Sequence, residues 1–518
     1  MRRIEMLRAG GDLDGAAETL GQEVPTLLTG GALAAVSHLV DQFPGPFVAA
    51  SPVMQQALGL AAWARWDCPA MLQAMQRAEP GFVAAGDADR ARAAAAYQSL
   101  ALNALGRNAE SATRLTVLRR ESLAPTTRVV VLVACTWHAL DLNATTRIGP
   151  LQDELMDLLE RNDDPSLWYR GPPLPRINGL PGTAAALQRY VQGALRLAGE
   201  RPMPLRALGH TQAGWHQAWQ VGDLEAAEDA LATAQDDSRW LGDPVNVKGQ
   251  IQLLAAFVHT MRGNRARALA AAQVLVDDHP PGRGGWSLWA NVYYAARIAA
   301  RFDERALFER HLARIEQAAS GVSAPATQMP LLGPLQAQRA WLAGDREGAI
   351  APWQHALADE AAIDRLGHAV EARLWLAAAL LEGGRAAEAN ETLRPLADRR
   401  LAGAGVGGVL FARPAAERLL AAGARAGLAP ELGAQLRGWL AVAEPASPPP
   451  ATVPLQPGGL SGREMEVLER IAAGDSNKLI ARAFDLSPHT VKRHVANILD
   501  KLGAESRGQA AAWYRRHA

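Results

Sequence analysis

The stretch SNKLIARAFDLSPHTVKRHVANILDKL, Ser476 to Leu502, reads as two helices joined by a short connector at Asp485-Leu486. Ser476 is a natural cap for the first helix, because its hydroxyl can accept an otherwise unpartnered N–H of the opening turn. Ser487 does the same for the second, and Pro488 follows at the first helical position, where a missing N–H costs nothing. In the second helix Val491, Val495, Ile498 and Leu502 recur at three- and four-residue spacing, so one apolar face turns inward. His489, Lys492, Arg493 and Ala496 fall on another side. A helix presenting cations and small side chains from its N-terminal half suits the major groove of DNA, which admits one helix and is read by its side chains. A lone amphipathic helix would be an ordinary solvated one. The repeated cap, turn and cap are what favour the groove.

From Leu460 onward the segment resembles the LuxR/FixJ-type helix-turn-helix. Leu460, Ser461, Arg463, Glu464, Val467 and Leu468 match the family's opening. Gly474, Ser476, Asn477, Lys478, Ile480 and Ala481 match its middle; Ser487, Thr490, Val491, Lys492, His494, Asn497, Ile498, Lys501, Leu502 and Arg507 match the remainder. The resemblance implies double-stranded DNA as a partner, RNA polymerase as a further one, and a homodimer on DNA. Expected at the DNA are Lys478, Ser487, His489, Thr490, Lys492, Arg493, His494, Ala496, Asn497 and Lys501. The last helix, about Ser506 to His517, is expected to supply the dimer contact through Ala510, Ala511 and Trp513. One departure stands out: Leu479 occupies the position where the family has Glu, three residues after the Ser476 cap. A reciprocal capping interaction worth roughly 0.5–1 kcal/mol is lost there. The opening helix keeps its pair, Ser461 with Glu464, and Leu460 can staple onto Met465.

The rest of the chain sets this module apart. With 518 residues the length exceeds one compact core. Net charge is formally zero, so the whole protein is not a nucleic-acid polyelectrolyte. Yet three of the four lysines, Lys478, Lys492 and Lys501, lie in the C-terminal module, and only Lys248 lies outside it. Modest local positive charge is what phosphate contact requires. Cys68 and Cys135 are too few for a disulfide framework or a metal site and are expected as core thiols in a reducing cytoplasm. The N-terminus has charges throughout and no apolar signal region, and no apolar run approaches a bilayer span, so a soluble cytoplasmic protein without a membrane partner is expected.

Residues 1–441 are rich in Ala, Leu and Arg without alternating β-branched runs, which argues for helix nearly throughout. A phrase recurs in which Gly is followed five residues later by Ala: Gly11/Ala16, Gly222/Ala227, Gly263/Ala268, Gly344/Ala349 and Gly384/Ala389. It reads as a helix ended by Gly, a tight turn, and a second helix whose small Ala lies close against the first. Trp66 and Gly106 stand at equivalent turns. Copies recur at about 40 residues or a multiple, the spacing of helical-pair solenoids. This region resembles the tetratricopeptide-like repeats of MalT-like regulators. The chain opens where that family's nucleotide-binding domain would end, and no lysine sits in a G-x-x-x-x-G-K-[ST] loop, so ATP-driven switching is not expected.

One stretch, NDDPSLWYRGPPLPRINGLPG from Asn162 to Gly182, carries prolines and glycines that preclude helix. Trp168, Tyr169, Arg170, Arg176 and Asn178 place aromatic and polar groups together there, as a loop lining an effector pocket would; a packed insertion between repeats is the plainer reading. Trp215/Trp219 and Trp286/Trp289 sit at helical spacing and are read as core. Residues 442–459 form a Pro-rich linker, extended rather than folded.

The expected fold is all-α: a tetratricopeptide-like helical-repeat solenoid over 1–441, the linker, then a small four-helix LuxR-type helix-turn-helix domain over 460–518. No G-x-S-x-G, H-E-x-x-H or zinc-spaced cysteine pair is present, so neither an enzyme nor a cofactor is expected. The function expected is a sequence-specific transcriptional regulator whose repeats sense a small-molecule or protein effector. A helical-repeat interaction scaffold with a vestigial DNA-binding module is the alternative. A basic helix set apart by a linker speaks against it, because a capping helix would pack on the last repeat.

Overall fold

Each recurring Gly in the repeat phrase takes a left-handed backbone, with φ of +85° at Gly11, +76° at Gly263, +91° at Gly344 and +75° at Gly384. Without a β-carbon this conformation carries little steric cost, and it lets the helix end abruptly. The next N–H then bonds the carbonyl five residues back: Asp12 to Leu7 at 3.0 Å, Asn264 to His259 at 2.9 Å, Asp345 to Ala340 at 3.0 Å, Arg385 to Leu380 at 2.8 Å. In several copies that residue also caps the following helix. Asp12 Oδ1 accepts from Gly15 N at 2.9 Å, and Asp345 Oδ1 from Gly348 N at 2.8 Å. The alanine five residues after each Gly, namely Ala16, Ala227, Ala268, Ala349 and Ala389, is fully buried in the seam between paired helices.

The computed structural model describes residues 2–277, 286–320, 331–364, 366–401, 403–443, 460, 462–484, 491, 494–495, 498–499, 501–504 and 506–517. Among these the chain is helical, with no strand, and it divides into two units, Met1–Ala443 and Glu444–Ala518. None of the described helices is long and apolar enough to cross a membrane. The Pro-rich segment from Glu444 to Gly459 lies outside the described residues.

In the first unit successive helices pack as pairs, among them Pro52–Ala64 on Cys68–Ala84, Pro204–Trp215 on Leu224–Trp240, Val245–Met261 on Arg265–Asp277 and Leu332–Ala343 on Arg346–Leu357. Some turns depart from the phrase. Asp303, not Gly, takes φ +56°, and Phe308 is buried where the other copies have Ala. The helix before Gly222 widens into a π-helical turn over His216–Val221, closed by Gly222 N donating to Gln217 O at 2.7 Å. Cys68 is buried as expected, whereas Cys135 is only half-buried, and neither is in a disulfide. Trp215, Trp219 and Trp289 are core residues; the Trp286 side chain lies outside the described residues.

The array does not contact only its immediate neighbours, as a simple solenoid would. Val406 N donates to Trp219 O at 2.9 Å, Phe411 stacks on Phe257 at 5.0 Å between ring centroids, and Arg301 Nε donates to Phe411 O at 2.9 Å. Glycines permit the approach. A β-carbon at Gly407 would sit 2.4 Å from Trp219 Cδ2, and one at Gly405 would sit 2.2 Å from Trp219 O.

Candidate nucleic-acid interface and a cavity in the repeats

In the C-terminal unit the helix Asn477–Phe484 starts where its cap requires: Ser476 Oγ accepts from Leu479 N at 3.3 Å. Leu479 itself is about half exposed, so the apolar side chain at this position lies in solvent. Arg507 secures the preceding turn from the other side, with Nη1 donating to Asn477 Oδ1 at 2.6 Å and Nη2 to the Asp475 carbonyl. Val491, His494, Val495, Ile498, Leu499, Lys501 and Leu502 are helical. Val491 and Ile498 are fully buried, and Val495 and Leu502 pack on the same cluster, which includes Leu460, Val467, Leu468, Ile471 and Ile480. The face read from the spacing does turn inward.

Residues 459–514 match the profile of bacterial regulatory proteins, luxR family. The C-terminal unit is a LuxR-family DNA-binding domain. The chain is 40% identical over 78 residues to Transcriptional regulatory protein FixJ of Bradyrhizobium diazoefficiens, covering 14% of this chain and 38% of that protein. It is 46% identical over 54 residues to Nitrate/nitrite response regulator protein NarL of Escherichia coli, 10% and 25% of the two chains. It is 48% identical over 58 residues to Response regulator protein VraR of Staphylococcus aureus, 11% and 28%. The chain thus spans less than two fifths of the length of these relatives.

Within this LuxR-family domain, Ser487, His489, Thr490, Lys492, Arg493, Ala496 and Asn497 lie outside the described residues, as does the Lys478 side chain. His494 is half-buried. Lys501, expected at the DNA, instead donates from Nζ to Glu464 Oε2 at 2.7 Å, and Glu464 is buried. Ser461 lies outside the described residues, and Leu460 is buried beside Met465. One expectation is corrected. Ala510 and Ala511, read as dimer contacts, are buried in the domain's own core, where the helix Arg507–His517 packs on Gly462–Ala472. Two small apolar residues on one helical face serve an internal seam as well as an external one. Trp513 is half-buried and stacks on His517 at 4.3 Å.

The segment Asn162–Gly182 also differs from its reading. Pro165 stands at the first position of a short helix, Pro165–Arg170, and Asp164 Oδ1 caps it by accepting from Ser166 N at 2.8 Å. Proline there supports a helix rather than precluding one. Of the five candidate effector residues, Tyr169, Arg170 and Arg176 line a common cavity of about 420 Å³. Trp168 and Asn178 do not. Trp168 is fully buried and donates from Nε1 to Leu159 O at 3.2 Å, and Asn178 donates to Pro175 O at 2.9 Å.

The other walls were not foreseen. Trp63 and Trp137 come from N-terminal helices and Trp66 from the turn after Pro52–Ala64, and Lys248, Leu253 and Tyr294 come from later helices. Trp63 meets Tyr169 edge-on at 5.2 Å, and Trp66 lies 5.4 Å from Trp137. The Arg176 guanidinium sits over the Trp137 ring at 5.0 Å. Arg170 donates from Nε to Tyr97 Oη at 3.2 Å and from Nη1 to Ser166 O at 3.1 Å. Burial pushes the Tyr169 hydroxyl up to about 12, so it stays protonated and accepts from Asn246 Nδ2 at 3.0 Å. One signal was available in the sequence: Trp66 stands at a turn where other copies carry Gly.

Proposed function

We propose that this protein is a sequence-specific DNA-binding transcriptional regulator that places its second helix in the major groove and senses an effector or partner protein through its helical repeats. The LuxR-family domain at residues 459–514 carries the first half of this reading, supported by the identity to three bacterial regulators. The second half rests on the cavity among the repeats, on a scaffold far larger than DNA binding requires. The repeats resemble those of MalT-like regulators, and the chain would work where the chromosome is, in the cytoplasm. Lys478, Ser487, His489, Thr490, Lys492, Arg493, His494, Ala496 and Asn497 are the groove-facing set, and a homodimer on adjacent half-sites with contact to RNA polymerase completes it.

The test is genome-wide footprinting with the full chain, then gel shifts on the fragments recovered. Discrete protected sites are expected, with Lys492→Ala/Arg493→Ala weakening binding by about tenfold or more at moderate salt. Uniform weak binding to all DNA, unchanged by the double substitution, would overturn the reading.

A further inference from the structure

The cavity in the repeats holds more than apolar space. At about 420 Å³ it falls in the range, roughly 300–1,000 Å³, of small-molecule sites. Its floor is aromatic and buried, and Asp243 and Val245 at its rim are exposed. Cations outnumber carboxylates among its lining residues: Arg170, Arg176 and Lys248 against Asp243 alone. Arg170 is half-buried and bonds only neutral groups, Tyr97 and Ser166. Taking a guanidinium out of water without an anion is costly. Two further lining residues keep buried polar atoms without a hydrogen-bond partner, Nε1 of Trp137 and Oε1 of Gln250.

A second, independent observation comes from the backbone. Trp66 takes φ +55° at a turn where the equivalent positions Gly106, Gly263, Gly344 and Gly384 are glycine and the non-glycine equivalents, Asn143 and Asp303, are small polar residues. A bulky residue held left-handed costs about 1–2 kcal/mol, and such strain concentrates at functional sites. Trp66 places its ring in the cavity wall, beside Trp137. The strain is understandable where that ring is used.

We infer that the cavity binds a small aromatic carboxylate, its flat ring among Trp63, Trp66 and Trp137 and its carboxylate on Arg170 and Arg176. A planar guanidinium pairs with a carboxylate in bidentate fashion, which fixes orientation as well as charge. A hydrogen-bond donor on the ligand ring meets Gln250 Oε1. A neutral sugar stacks on tryptophan too, but it leaves Arg170 without an anion. This assignment rests on reading the repeats as the sensing part.

The experiment titrates the full chain without DNA by calorimetry, using 4-hydroxybenzoate and indole-3-acetate, their uncharged amides, and trehalose. Saturable binding of at least one carboxylate is expected, with its amide weaker by about tenfold or more. Arg170→Gln and Trp66→Gly should each lower carboxylate affinity by about tenfold. Trp66→Gly relieves the strained backbone, so cooperative melting should persist; Arg170→Gln carries the test if it does not. No heat from either carboxylate at about 5 mM, equal binding of acid and amide, preference for trehalose, or wild-type affinity in Arg170→Gln would each overturn the assignment. Because the readout needs no DNA, loss of probe binding with intact operator binding condemns the ligand class alone. Probe binding without any specific DNA site condemns the regulator reading instead.

Discussion

Lys501 Nζ lies 2.7 Å from Glu464 Oε2, joining the helical turn at Lys501 and Leu502 to the helix Gly462–Ala472. Glu464 is 5% exposed, so its charge is held largely out of water. The lysine is 42% exposed over its side chain, which limits what the pair contributes. Lys501→Ala should therefore destabilise the C-terminal unit by about 1 kcal/mol, read as an earlier C-terminal transition in scanning calorimetry of the full chain. Because this ammonium is engaged internally, the salt dependence of DNA binding should not change. A slope reduced by about one, with unchanged melting, would return Lys501 to the DNA.

Packing along the helix-pair seam gives a second prediction. Ala268 is fully buried where Arg265–Asp277 meets its partner, and Ala266, two residues earlier on the same helix, is exposed. Ala268→Leu should cost about 1–3 kcal/mol by overpacking, with Ala266→Leu within about 0.5 kcal/mol of wild type. Urea unfolding of the two variants checks this. Equal midpoints would mean that the seam is looser than the alanines imply.

Glycines in two settings should respond with opposite sign. A β-carbon at Gly193 would lie 1.9 Å from Trp168 Cη2, and Trp168 is fixed to Leu159 behind the cavity wall. Gly193→Ala should lower stability by about 1–3 kcal/mol. Gly249, inside the helix Val245–Met261, faces open space, so Gly249→Ala should raise stability by about 0.5–1 kcal/mol through its better helix propensity. Thermal midpoints moving the same way would contradict one of the two statements, and a reversed pair would contradict both.

A fourth prediction concerns acid. Burial, with help from Arg314 and Arg310, pushes His311 down to about 4, and its Nδ1 is buried without a partner. The unfolded chain therefore takes up the proton first. Stability from this group is complete above the unfolded value near 6.5 and is lost as pH falls towards 4, by about 1 kcal/mol at pH 5.5. His311→Gln should flatten the pH dependence of the unfolding midpoint between about pH 7 and 5.5 by that amount. An unchanged slope would show that the imidazole is hydrated in the folded protein.

How much of the fold could be read from the sequence depends on how local each signal is. Gly263 and Ala268 announce a turn and a seam because glycine's backbone freedom and alanine's size act within one helical turn. Asp303 makes the same turn unannounced, since aspartate tolerates the left-handed region but occurs in many other settings. Trp63 and Trp137 were invisible as cavity residues because helical spacing alone cannot tell a core face from a pocket wall. Only folding brings them to Arg170 and Arg176. Ala510 and Ala511 failed as dimer contacts for the same reason, being apolar on a face whose neighbour was unknown.

The hydrogen bond from Val406 to the Trp219 carbonyl carries a consequence for how such a chain can change over generations. Open repeat arrays grow and shrink by whole copies, because each added pair only moves the later copies along the axis. Here a helix pair duplicated or deleted between Met261 and Gly384 would slide Val406 and Phe411 off Trp219 and Phe257. The number of copies is locked, and variation must proceed by point substitution within a fixed count.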